Sequence, residues 1–255
     1  RGVSLLVLPT PVKPALEPHR FSTRAAADSA PLRNPSFDEF KSRLAAAGIP
    51  LFDPAPRLAQ VGRETGRPQY LATDTHWTPD AVDQVARRLA AVVDGMVELS
   101  PAGPAAWVRR EVEVEGAGDV AVMLKLPPDQ SIYSTQHLTI QQVSTWDGAP
   151  WRSDPKAEVL LLGDSFTNVY SEPGLGWGSG AGLAEQLTYY LQRPVDRLAR
   201  NAGGAHATRE ALQRALAAGE DRLAGKKVAI YQFSARELGF GDWRRVSLVP
   251  LSKGR

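Results

Sequence analysis

No cysteine occurs among the 255 residues, which excludes a disulfide framework, a thiolate metal site and a cysteine nucleophile. There is also no run of about 20 apolar residues, so no segment can span a bilayer as a helix. Neither sign of charge is in excess: 30 Lys and Arg against 28 Asp and Glu leave a net charge of +2. Without a dense basic stripe and interleaved aromatics, nucleic acid is not an expected partner. Histidine is scarce, with four residues, and this narrows the search for a catalytic base.

What is present reads as one large α/β domain spanning 1–255, with a β-rich excursion over about 100–150. Val3 to Pro9 forms an apolar run that predicts a buried strand beginning almost at residue 1. A core strand so placed predicts that further sequence, a signal peptide or membrane anchor included, precedes Arg1. The stretch Thr10 to Ser36, rich in Pro and Ala, is expected to be surface loop. Phe37 to Ala47 predicts a short amphipathic helix closed by Gly48, and Ile49 to Phe52 a strand. Thr78-Pro79-Asp80 is a strong helix start, with a capping hydroxyl, a proline at the first helical position and an acid in the first turn. Val82, Val85, Ala86, Leu89, Val92 and Val93 then recur at helical spacing.

Glu111 to Glu115 alternates strictly, as does part of Leu138 to Val143, which predicts exposed strands. The run Val159 to Leu162 is continuously apolar and ends in Gly163, as a central parallel strand should. A helix over about 182–191, a strand over 195–199, a helix over 208–218 and a strand over 227–233 complete an alternating order. That order predicts a mostly parallel sheet flanked by helices.

Ligands of open parallel sheets sit at the carboxyl ends of the strands. Ser165 lies there, in Gly163-Asp164-Ser165-Phe166, where Gly163 would permit a sharp turn and the amide of Ser165 or Phe166 can face an oxyanion. The tetrapeptide reads equally well as a plain turn. A serine nucleophile needs a base. His19 and His137 are expected at the surface, and His206 at a helix start. His76 follows Asp74 by two residues in the loop entering the best-capped helix. On extended chain the two would project to one side, so Asp74 can hold Nδ1–H while Nε2 points to a serine. A metal reading of Asp-x-His is weaker, because no third ligand is evident.

Asp74-Thr75-His76-Trp77 together with Gly163-Asp164-Ser165-Phe166 resembles the alginate O-acetyltransferase family, the SGNH-hydrolase-like proteins of exopolysaccharide acetylation. The opening strand, Gly118-Asp119-Val120 with Met123-Leu124, Arg200 to Gly204 and Lys226 to Leu238 are similar too. The resemblance implies an SGNH-hydrolase-like fold and acetyl transfer through Ser165 to polysaccharide hydroxyls, with His76 as base and Asp74 as orienter. It implies a periplasmic or cell-surface protein, anchored through an N-terminal segment, beside a membrane-bound O-acyltransferase that supplies acetyl groups, and no cofactor or metal. The loop with Asn201 and Gly203 would sit where such proteins place oxyanion donors, with Phe166 and Arg200 as further substrate-binding residues; Arg236 and Trp177 are candidates for a polymer groove. Two alternatives stay open: a carbohydrate acetylesterase using the same triad, and a non-catalytic polysaccharide scaffold.

Overall fold

The computed structural model describes residues 1–26, 28–103, 106–127 and 129–248. The elements run β1 (Ser4–Thr10), α1 (Lys13–Leu16), α2 (Phe37–Ala46), α3 (Ala55–Thr65), α4 (Pro79–Met96), β2 (Trp107–Gly116), α5 (Asp119–Met123), β3 (Gln136–Thr145), β4 (Val159–Gly163), α6 (Ser165–Asn168), α7 (Leu183–Leu191), β5 (Val195–Ala199), α8 (Ala207–Ala217), β6 (Val228–Ser234) and α9 (Glu237–Phe240).

Four strands form a parallel sheet in the order β1-β6-β4-β5. Successive side chains of a strand point to opposite faces, and both faces here are covered. Val159, Leu161, Val228 and Ile230 join the apolar cluster that includes α4 and α7. Leu160, Leu162, Ala229, Tyr231 and Phe233 join a second cluster with Leu212 and Leu216 of α8. Double burial explains why β4 and β6 are apolar without alternation. Strands β2 and β3 form a separate antiparallel pair. The pair sets Ile140 and Val143 into the first cluster and leaves Glu111, Glu113 and Glu115 in solvent.

The structure departs from expectation in four places. The stretch predicted as loop over 10–36 contains α1 and a 3-10 turn at Pro18–Arg20, and Leu16, Glu17 and Pro18 in it are buried. The strand expected at 49–52 is reduced to one parallel bridge, Val7 to Leu51. Helix α3 had no counterpart in the periodicity because only Ala55, Leu58 and Ala59 are buried on it. Gly163 turns without a left-handed φ; its smallness is needed because a Cβ there would lie 2.1 Å from Thr167 Oγ1.

Candidate active site

The two sequence motifs meet at the carboxyl end of β4. Asp164 caps the single turn α6, its carboxylate accepting from the Phe166 N–H at 2.9 Å. This makes Ser165 the first residue of the turn. Asp164 is itself fixed by β6: its Oδ2 accepts from the Ser234 N–H at 2.7 Å, and Gln232 donates to Oδ1 at 3.0 Å. Gln232 also accepts from the Asp164 N–H and from the Thr167 hydroxyl. Loss of solvation pushes the Asp164 carboxyl up from its ordinary range, against the opposing pull of these donors.

His76 sits on a closed loop rather than on extended chain. Tyr70 bridges Trp77 in antiparallel fashion, and the Leu71 and Thr78 amides donate to the His76 and Gln69 carbonyls. Inside that loop the His76 N–H donates to Asp74 Oδ1 at 2.9 Å, a side-chain-to-backbone bond two residues on of the kind Asp forms in turns. The same oxygen lies 2.6 Å from His76 Nδ1. Proximity of Asp74 and His76 therefore comes from a turn, where strand alternation was expected. Lys13 of α1 secures the loop from below, its ammonium donating to the Leu71 and Ala72 carbonyls at 2.5 and 2.8 Å.

Nε2 of His76 lies 2.8 Å from Ser165 Oγ, which makes Asp74, His76 and Ser165 a continuous hydrogen-bonded line. Two further bonds tie the His76 loop to α6 and the residues just after it: the Trp77 indole donates to the Phe166 carbonyl at 3.0 Å, and the Tyr170 hydroxyl to the Trp77 carbonyl at 2.7 Å. The Phe166 ring packs edge-on to the imidazole with centroids 4.9 Å apart.

Asp74 is nearly sealed, at 1% exposure. Its Oδ2 accepts from the Trp177 indole at 2.8 Å and from the Asp119 N–H at 2.9 Å. Four N–H groups thus converge on one carboxylate, a load that only the ionised form can accept in full. Burial pushes its pKa up, but the bond to His76, the imidazole's charge, Trp177 and Asp119 outweigh it and leave the group at about 2.

The remaining candidates fall in different places. The Phe166 N–H, expected to be available to an oxyanion, is taken by Asp164, because a helix cap must satisfy the first free amides. The Ser165 N–H has no acceptor among the described residues. Asn201 is exposed; its amide donates to Glu172 at 2.6 Å and its oxygen accepts from Asn168 at 2.7 Å. Gly203 has a φ of +94°, and Arg200 is exposed, its N–H bonded to the Gly163 carbonyl at 2.9 Å. Trp177, one of the groove candidates, is fully buried in a packing position and donates to Asp74. Arg236 does line a cavity of about 670 Å³, with Lys13, Arg20, Phe21, Tyr70 and Asp74. His19 and His137 are exposed and His206 precedes α8, as expected.

Sequence reasoning missed Trp177 and Asp119 as partners of Asp74. The one available signal was glycine. Gly174, Gly176, Gly178 and Gly180 surround Trp177, and a Cβ at Gly116 would meet the Trp177 ring at 3.0 Å.

Asp119 supplies the third ligand type that Asp-x-His lacked in sequence, since a donor atom from each of Asp74, His76 and Asp119 falls within 4.8 Å of the others. The donors are already engaged. His76 Nδ1 faces Asp74, and Asp119 Oδ1 accepts from the Thr75 N–H at 2.7 Å. This cluster fits a hydrogen-bonded relay better than a cation.

Comparison with known proteins places the chain in a family. Residues 1–235 match the family described as SGNH hydrolase-like domain, acetyltransferase AlgX. The chain is 29% identical over 167 residues to a probable alginate O-acetylase AlgJ of Pseudomonas aeruginosa, covering 65% of this chain and 41% of the relative. It thus spans about two fifths of the length of such curated relatives. Among solved structures, the O-acetyltransferase domain of Pseudomonas putida AlgJ superposes with a TM-score of 0.67 at 19% identity, over 95% of this chain and 78% of that one. Pseudomonas aeruginosa AlgX does so with a TM-score of 0.62 at 16% identity, over 91% and 51%. At these identities the superpositions establish the fold.

Proposed function

The chain belongs to the SGNH hydrolase-like AlgX acetyltransferase family, and from that membership we propose that it O-acetylates a bacterial exopolysaccharide through Ser165. The observation that carries the reading is the unbroken line from Asp74 through His76 to Ser165 at 2.6 and 2.8 Å.

In this reading Ser165 Oγ attacks the carbonyl carbon of an acetyl donor while His76 Nε2 takes its proton. The C–O bond of the tetrahedral adduct to the leaving group then breaks, and His76 returns the proton to that group. A sugar hydroxyl next gives its proton to His76 and attacks the acetyl-serine, and Ser165 leaves with the proton restored. Asp74 keeps Nδ1 protonated, so that the neutral ring presents its lone pair at Nε2, the atom that takes and returns the proton. The Ser165 N–H is the amide available to the oxyanion. Lys13, Arg20 and Arg236 give the neighbouring cavity a basic rim suited to an acidic sugar chain, offset in part by Glu17 and Asp74.

The reading includes a periplasmic setting and a membrane-bound O-acyltransferase as donor. No helix among the described residues is long and apolar enough to cross a membrane.

The test is incubation with an activated acetyl ester, with and without acidic or neutral oligosaccharides. Acetylated sugar is the expected product, and Ser165→Ala is expected to lose on the order of 10⁶-fold in rate, as removal of a triad nucleophile does. Free acetate alone would make the protein an esterase. Turnover that survives Ser165→Ala would remove the nucleophile assignment.

A further inference from the structure

We propose that Asp119 is a second carboxylate of the site, a positioning residue that fixes Asp74 through its main chain and supports positive charge on His76 through its side chain. The inference rests on the relay described above.

Three contacts place it. The Asp119 N–H donates to Asp74 Oδ2 at 2.9 Å. Its Oδ1 accepts from the Thr75 N–H at 2.7 Å, so the side chain is fixed on the residue between Asp74 and His76. Its Oδ2 stands 3.9 Å from His76 Nδ1. The side chain is 39% exposed against 1% for Asp74, so Asp119 approaches the imidazole from the solvent side while Asp74 approaches from within.

The backbone makes this placement rigid. The Thr73 carbonyl accepts from the Val120 and Ala121 amides, and the Thr73 hydroxyl donates to the Ala117 carbonyl at 2.5 Å. Gly118 has a φ of +86°, and a Cβ there would lie 2.3 Å from the Thr73 carbonyl oxygen. The start of α5 and the Asp74 loop are thereby laced together, so the carboxylate is held near His76 rather than free to swing away.

The chemical consequence concerns the imidazolium that forms when Ser165, and later the acceptor, gives up its proton. Charged groups near His76 come from each surrounding element: Asp74 on its own loop, Asp119 at the first position of α5, Asp164 capping α6, and Lys13 on α1, bonded to the loop carbonyls. Asp74 is the stronger partner by distance. Asp119 adds a second negative charge within the range at which a neighbour favours the charged form. Removing that charge therefore withdraws support from the imidazolium relative to the neutral ring, and it weakens the base.

The experiment is an NMR titration of the histidine rings in Asp119→Asn, run beside the pH profile of kcat/KM for acetyl transfer. Asn keeps an oxygen for the Thr75 N–H and removes only the charge. The His76 midpoint and the acidic limb of the profile are expected to fall together, with a severalfold drop in the plateau, the effect tempered by the 39% exposure of the Asp119 side chain. Should that variant not fold, Asp119→Ser leaves a hydroxyl acceptor for Thr75 and carries the same titration test. A folded variant whose His76 midpoint and acidic limb match the parent overturns the inference. The ring titration needs no substrate, so it remains readable if Ser165→Ala retains activity and the nucleophile assignment falls. If Ser165→Ala is inactive while Asp119→Asn titrates like the parent, only the second carboxylate falls.

Discussion

At the residue scale, Asp74 carries the most demanding role. Its two oxygens accept from His76 N–H, His76 Nδ1, the Asp119 N–H and the Trp177 indole. An amide in its place presents an NH₂ group to at least one of these donors whichever way it is turned. Asp74→Asn is therefore expected to lose about 10³- to 10⁴-fold in turnover, as loss of an orienting carboxylate does in serine triads, and about 1–3 kcal/mol of stability for the unsatisfied donors. Initial rates and urea denaturation measure the two separately. Trp177→Phe keeps most of the buried volume and removes one donor. Its expected cost is roughly tenfold in rate, equivalent to about 1.4 kcal/mol in orientation of Asp74, with the far-ultraviolet circular dichroism of the folded protein preserved. A variant with unchanged turnover would reduce Trp177 to a packing residue.

At the scale of elements, helix α4 delivers the imidazole. Thr78 accepts from the Ala81 N–H at 3.2 Å with Pro79 behind it, and the loop that carries His76 ends on that cap. Thr78→Ala is expected to cost about 1 kcal/mol, measured as a shift of the denaturation midpoint. This start was legible because cap, proline and acidic first turn are all local chemistry. The same holds for β4, whose doubly buried residues have to be apolar, and for the strict alternation of β2. The motif pair Asp74-Thr75-His76 and Asp164-Ser165 was also legible, because each partner sits within two residues of the other.

What stayed hidden was nonlocal. Trp177 lies 103 positions from Asp74 and bonds to it, and Asp119 is brought in by a crossing at Thr73 that no period records. Helix α3 escaped because its buried stripe is three residues. The turn chemistry at Asp74 and His76 is indistinguishable in sequence from strand alternation, because both put residues i and i+2 together. Phe166 read as an oxyanion donor because the competing claim of the Asp164 cap is a matter of local three-dimensional geometry.

At the scale of the molecule, the β2–β3 pair and the parallel sheet share one apolar cluster, so the excursion and the sheet are expected to unfold together in one transition by fluorescence and far-ultraviolet circular dichroism. Noncoincident transitions would instead make the hairpin a separate unit. Stability should also depend on acid. Asp74 is at about 2 in the folded protein against an ordinary 3.8. A carboxylate depressed in this way contributes stability that is complete above its unfolded value and lost as pH falls through the folded one. The contribution is about 2 kcal/mol, so denaturation midpoints should decline between about pH 4 and pH 2, with less decline in Asp74→Asn.

The central claim is that acetyl groups pass through Ser165, held at 2.8 Å from His76. Intact-protein mass spectrometry after brief exposure to an activated acetyl ester, followed by peptide mapping, tests it most directly. One acetyl group on Ser165 is expected, absent in Ser165→Ala, slow to form in Asp74→Asn, and discharged on addition of an acceptor oligosaccharide. Turnover of the ester with the label on another residue, or with no serine adduct and full activity in Ser165→Ala, would contradict the account.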